Sequence, residues 1–179
     1  MTEVANNYGG ALYELAKDEG LSQQLLNEIT ALSDSFAAEP TFLQLLSTPS
    51  IPKAERCQII DDSFRGKINP YVLNFLKILT EKGYIREFPG CCQVFRNHYN
   101  QDNGILPVTA VTAMPLNEAL RQKLADKLAN ITGKTIDLTC RVDPQTLGGV
   151  RLDFDGKQVD GTVRRRLDDI RSILKNTVL

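Results

Sequence analysis

The residues best suited to nucleophilic or acid–base chemistry are two adjacent cysteines, Cys91 and Cys92, and a single histidine, His98. A cysteine nucleophile needs a depressed thiol pKa and a base beside it. Cys91 and Cys92 fall on a predicted helix, where neighbours in sequence point in different directions. His98 has no obvious nucleophile partner and reads as a surface or hydrogen-bonded histidine. With Cys57 and Cys140 the chain holds four cysteines, none in a CxxC pair. A zinc site would need closer ligand spacing. All four are expected to be buried, reduced, structural thiols.

Three other clusters invite the same test. Leu147-Gly148-Gly149 lacks the further glycine and the Lys-Ser/Thr of a phosphate loop, and it precedes a strand where that loop would precede a helix. It reads as a tight turn or a close backbone approach. Asp153, Asp155 and Asp160 miss the calcium-loop spacing and read as solvated turn carboxylates. Arg164-Arg165-Arg166 is the only basic run, and its Arg164 and Arg165 lie one helical turn before Asp168 and Asp169. Such a face is zwitterionic with weak i,i+4 pairs. It suits either solvent or an acidic protein partner. No catalytic residue, metal or cofactor is expected.

The elements carrying these residues change character near residue 104. Before it, the chain reads as six helices. The first spans about Glu3 to Asp18 and ends at Gly20. The second spans about Ser22 to Ala38, with Leu25, Ile29, Leu32 and Phe36 at helical spacing. A short third holds Phe42 to Leu46 and is closed by Pro49 and Pro52. A fourth carries Cys57, Ile60 and Phe64. The fifth opens at Asn69-Pro70, a cap followed by a first-turn proline, and stops at Gly83. The sixth covers about Ile85 to Asn100, with Pro89 as a candidate true start.

Beyond Gly104, Ile105 to Ala113 is rich in β-branched residues and reads as a strand, which Pro107 should place at an edge or start late. Leu116 to Thr132 reads as a helix with Leu120, Leu124, Leu128 and Ile131 on one face and Asn117 as its cap. Ile136, Leu138, Cys140 and Val142 alternate, as do Val150, Leu152 and Phe154. A last helix over about Gly161 to Asn176 aligns Val163, Leu167, Ile170 and Leu174. The expected architecture is an α-helical six-helix bundle over 1–104 followed by a small α+β domain, β-α-β-β-α, over 105–179.

Two helices carry more apolar surface than packing one side requires. In the fifth, Tyr71, Val72, Leu73, Phe75, Leu76, Ile78 and Leu79 cover an arc of roughly 220°, against the ~100° of an ordinary amphipathic stripe. It is either a central helix of its own domain or a helix with one side lining a groove. In the first, Val4, Tyr8, Ala11 and Leu15 read as the core stripe, with a shelf of Ala5, Gly9, Leu12, Tyr13 and Ala16 beside it. Gly9 and Gly10 each cost roughly 1 kcal/mol of helix propensity relative to alanine. A closely packed neighbour would offset that; a frayed first turn is the alternative. On this reading Gly9→Leu would fill the shelf without unfolding the domain.

Composition narrows the function classes. The chain has 179 residues, 42% of them hydrophobic and 24% charged, with a net charge of −1. That balance argues against a nucleic-acid binder. No apolar run approaches the ~18 residues of a membrane span. The start, Met1 to Asn7, has no basic region followed by an apolar stretch, so no signal peptide is expected.

Along nearly its whole length the sequence resembles the delta subunits of bacterial F-type ATP synthases, relatives of the mitochondrial oligomycin-sensitivity-conferring protein. The resemblance rests on Tyr8-Gly9-Gly10-Ala11-Leu12-Tyr13-Glu14-Leu15-Ala16, on Asn74-Phe75-Leu76-Lys77-Ile78-Leu79 and on Val111-Thr112-Ala113-Met114-Pro115-Leu116. Its most specific part is Asp143-Pro144-Gln145-Thr146-Leu147-Gly148-Gly149-Val150, followed by Val159-Asp160-Gly161-Thr162-Val163-Arg164 and Leu167. Departures fall at Gly9, Tyr84, Thr146 and Thr162.

The resemblance implies a non-catalytic stator subunit with no cofactor. Its helical domain would bind the N-terminal helix of an alpha subunit in a groove between the first and fifth helices. The expected contacts are Ala5, Gly9, Leu12, Tyr13, Ala16, Val72, Leu73, Leu76 and Leu79. The C-terminal domain would bind the C-terminal region of the b-subunit stalk through Val163, Arg164, Arg165, Leu167, Ile170 and Leu174. The implied place is the cytoplasmic face of the bacterial plasma membrane, peripheral through the complex, with no membrane insertion and no nucleic acid. A free-standing helical adaptor for another amphipathic helix, and a small enzyme using Cys91 or Cys92, are the competing readings.

Overall fold

A computed structural model describes residues 2–146, 148–154 and 156–161. The chain divides into two compact units, one ending at Tyr99 and one beginning at Asn100.

Capping side chains set the starts of two helices of the first unit, those that open at Glu3 and Pro70. Helix α1 (Glu3–Asp18) opens with the Thr2 hydroxyl accepting from the Ala5 amide at 3.2 Å and donating to Glu87 at 2.6 Å. It closes where Gly20 turns left-handed and the Leu21 amide reaches back to the Ala16 carbonyl at 2.8 Å. Helix α2 (Ser22–Ala38) buries Leu25, Ile29, Leu32 and Phe36 on one stripe. Helix α3 (Pro40–Ser47) begins with Pro40 itself, because a first-turn proline loses no helical hydrogen bond. Helix α4 (Lys53–Phe64) follows the proline break. Helix α5 (Pro70–Lys82) is capped by the Asn69 side chain, which accepts from the Tyr71 amide at 2.9 Å, and by left-handed Gly83. A 3₁₀ turn (Ile85–Glu87) precedes α6 (Phe88–Asp102), so Pro89 sits in that helix's first turn.

The core of this unit gathers Leu25, Ile29, Phe36, Leu46, Ile60, Val72, Leu76, Leu79, Ile85, Phe88 and Phe95. Phe36 packs against Phe42, Phe64 and Phe88. Between α4 and α5 runs a polar seam. There Lys77 donates to Asp61 at 2.8 Å, while Arg56, buried on α4, donates to the Leu46 carbonyl of α3 at 2.9 Å.

The second unit holds β1 (Ile105–Thr112), α7 (Glu118–Thr132), β2 (Thr135–Val142), β3 (Val150–Phe154) and β4 (Lys157–Asp160). The sheet order is β2-β1-β3-β4, with β1 parallel to β2 and antiparallel to β3, and β3 antiparallel to β4. Strand β4 is absent from the sequence reading, and Asp153 and Asp160 are strand residues, not turn carboxylates. Four residues with one aliphatic among them show no periodicity; pairing with β3 makes them a strand.

Pro107 does not mark an edge, since β1 is central. The Gly104 carbonyl accepts from Thr135, so residues at odd positions turn their amide side towards β3. Among the described residues the β3 ladder begins at Thr109, two residues beyond Pro107. Leu106, Val108, Ala110 and Leu138 form the core here, with Leu124 and Leu128 of α7 packed on it. The expected four-leucine-type stripe of α7 is shorter than its periodicity suggested. Leu120 is 51% and Ile131 81% exposed, and Leu124 and Leu128 are the two that pack on the sheet. The Asn117 cap is present, its side chain accepting from the Leu120 amide at 2.8 Å. The expected last helix lies outside the described residues.

Candidate docking groove

Helix α1 carries two apolar stripes, and the structure reverses their expected roles. Ala5, Gly9, Leu12, Tyr13 and Ala16 are the buried ones. Val4 and Tyr8 are half-buried, and Ala11 and Leu15 are exposed. The cause is α6. A Cβ built on Gly9 would lie 2.5 Å from the Cys91 carbonyl oxygen and 3.0 Å from the Cys91 Cα, and one on Gly90 would lie 3.1 Å from the Ala5 Cβ. The small residues face α6 because they let its backbone approach. Tyr13 stacks on His98 and meets Phe95 edge-on. Gly9→Leu would therefore drive a side chain into a neighbouring backbone, contrary to the expectation that it would spare the fold.

On α5, Val72, Leu76 and Leu79 are fully buried and Leu73 is half-buried. Their side chains, like the five of α1, are used inside the unit. What the two helices leave outside is a different set. Ile78 is 45% and Leu15 38% exposed, and Tyr84, two residues past the end of α5, is 40% exposed.

These outer residues belong to one surface, because α1 and α5 are bridged at both ends. Near the start of α1 the Tyr8 ring meets Tyr84 edge-on, with centroids 5.9 Å apart. Near its end the Tyr71 phenol lies beside the Glu19 carboxylate, whose charge, helped by burial, holds that phenol above its ordinary pKa. The two helices thus run antiparallel. Tyr8, Ala11 and Leu15 lie on the α1 side of this surface, and Tyr71 and Ile78 on the α5 side. From Tyr8 to Glu19 the groove follows about 16 Å of helix axis, at ~1.5 Å per residue. Sequence patterning picked out both helices, but the residues it assigned to a groove are buried or half-buried within the unit.

The thiols point away from catalysis. Burial pushes Cys91 up to about 11 and Cys92 up to about 12, and burial likewise raises Cys57. All three stay protonated at neutral pH, the wrong state for a nucleophile. Cys140, expected to be buried, is exposed on β2. Among the described residues no group of His, Cys, Asp or Glu could hold a metal ion, and no helix is long and apolar enough to cross a membrane. The expected stalk contacts Val163, Arg164, Arg165, Leu167, Ile170 and Leu174 lie outside the described residues, as do Leu147, Asp155 and Arg166. Gly148 and Gly149 have positive φ, in keeping with a turn before β3.

Comparison with known proteins gives a consistent match. The family described as "ATP synthase delta (OSCP) subunit" matches residues 4–174. The "ATP synthase subunit delta" of Moorella thermoacetica is 33% identical over 96% of this chain and 96% of its own length. That of Lactobacillus delbrueckii subsp. bulgaricus is 32% identical, again over 96% of each. A chain from the cryo-EM structure of the Toxoplasma gondii mitochondrial ATP synthase hexamer shares the fold, with a TM-score of 0.77 at 18% identity over 97% of this chain and 98% of that one.

Proposed function

We propose, since this chain belongs to the ATP synthase delta (OSCP) subunit family, that it is a non-catalytic stator subunit linking the catalytic head to the peripheral stalk. It would resist the torque of the rotor on the cytoplasmic face of the membrane, held there through the complex. The observation that carries this reading is the apolar surface that α1 and α5 leave uncovered, with Leu15 and Ile78 exposed between the Tyr8–Tyr84 ring contact and the Tyr71–Glu19 pair. A groove of that form takes an amphipathic helix by its apolar face. The helix assigned to it is the N-terminal segment of an alpha subunit. The contact residues are the outer ones, Tyr8, Ala11, Leu15, Tyr71 and Ile78, in place of the buried side chains first expected.

The second unit is assigned the b-subunit stalk. Support comes from the family match, which extends through the sequence of the expected contacts to residue 174. The test is co-sedimentation with head-stripped membranes that retain the stalk, alongside calorimetric titration with an alpha-subunit N-terminal peptide. Full-length protein should do both. A fragment ending at Gly104 should bind the peptide and fail to sediment. Equal sedimentation of both proteins would remove the stalk from the second unit.

A further inference from the structure

Charge along the groove's α1 wall separates one class of docked helix from another. Asn7, Ala11, Glu14 and Asp18 follow one another at i, i+4, i+7 and i+11, a single line along the helix. That line is the outer crest of the wall, directly beside Tyr8 and Leu15. Glu14 and Asp18 are exposed, and no ion pair among the described residues engages either carboxylate. Glu19 closes the same end of the groove. Lys17 is exposed on the α6 side of the crest, turned away from the groove. The opposite crest, on α5, presents neutral Asn74, with Lys82 only at the far end near Tyr84. The surrounding field has the same sign, since residues 1–99 contain twelve Asp and Glu against nine Lys and Arg.

We propose that the groove selects an amphipathic helix with a cationic flank, Lys or Arg beside the apolar stripe and facing α1 over the Glu14–Glu19 half. The inference rests on the groove reading above and adds the chemistry of its occupant. An anionic flank would lie against two unpaired carboxylates, so the crest discourages the wrong partner as well as steering the right one. The contact is exposed, so its effect fades as salt screens it.

The test uses the full-length chain and two synthetic helices of about fourteen residues with the same apolar stripe. One carries lysines on the flank that meets α1, the other glutamates. The lysine helix should bind about tenfold more tightly at low ionic strength, and the difference should shrink in about 0.5 M salt. Glu14→Gln with Asp18→Asn, both exposed and near-isosteric, should abolish the preference while either helix still binds. Equal binding of the two helices to the unaltered chain, or a preference that survives the double substitution, overturns the cationic flank and leaves the groove standing. Binding of neither helix overturns the groove reading itself.

Discussion

Gly9 lies against the backbone of Cys91 so closely that a Cβ at position 9 would stand 2.5 Å from the Cys91 carbonyl oxygen. That contact turns α1. With the glycine face pressed on α6, the stripe of Val4, Tyr8, Ala11 and Leu15 faces outwards beside α5.

Gly9→Ala should therefore destabilise the protein although it adds helix propensity. The clash is with backbone, which yields poorly, and overpacking of this kind costs about 1–3 kcal/mol. Gly10→Ala is the control. The nearest atom to its added Cβ is His98 Nε2 at 3.8 Å, an ordinary contact. It should stabilise by about 0.5–1 kcal/mol, as alanine does in a helix interior. Urea unfolding of the two variants decides the matter; equal stabilisation by both would mean that α1 does not rest on α6 through Gly9.

Leu15→Ser with Ile78→Ser should weaken binding of an alpha-subunit peptide at least about tenfold and leave stability within ~0.5 kcal/mol, as is usual for surface sites. Leu76→Ala should instead cost about 2–5 kcal/mol, because its side chain is fully buried. Calorimetric titration and thermal melts on the same preparations separate the two effects. Unchanged affinity in the folded double variant would place the partner elsewhere.

Acid should loosen the α4–α5 seam. The Lys77 hydrogen bond, first, and the charges of Lys77 and Arg65 hold the Asp61 carboxyl below its ordinary pKa. A depressed folded pKa means a contribution present above the unfolded value, near 4, and lost as pH falls through the folded one. Lys77→Met should flatten the loss of stability as pH falls below about 4 while lowering stability at pH 7. An unchanged acid limb in that variant would show that Asp61 is not its source.

The four thiols should divide one to three. Cys140 is exposed and should react with a thiol reagent in the native protein; Cys57, Cys91 and Cys92 are buried with raised pKa values and should react only on unfolding. Fast native labelling of Cys91 or Cys92 would revive the nucleophile reading.

Local chemistry was legible from the chain alone. Caps such as Asn69 and Asn117, stops such as Gly20 and Gly83, and the 3.6-residue rows of α2 act within a few residues of themselves, so their outcome is written where they stand. The family was legible for the same reason, since its motifs are short and ordered along the chain. The orientation of α1 was not. Its two stripes lie about 100° apart, both apolar, and periodicity ranks them by size, which favours the wrong one. What settles their roles is steric. A backbone some eighty residues further on needs a face without side chains, and only the stripe with Gly9 and Ala5 provides it. The large residues are left outside, beside Ile78 and Tyr84, and the groove is the consequence. Strand β4 and the place of Pro107 follow the same rule, since both depend on which strand lies alongside, and no spacing within either segment carries that information.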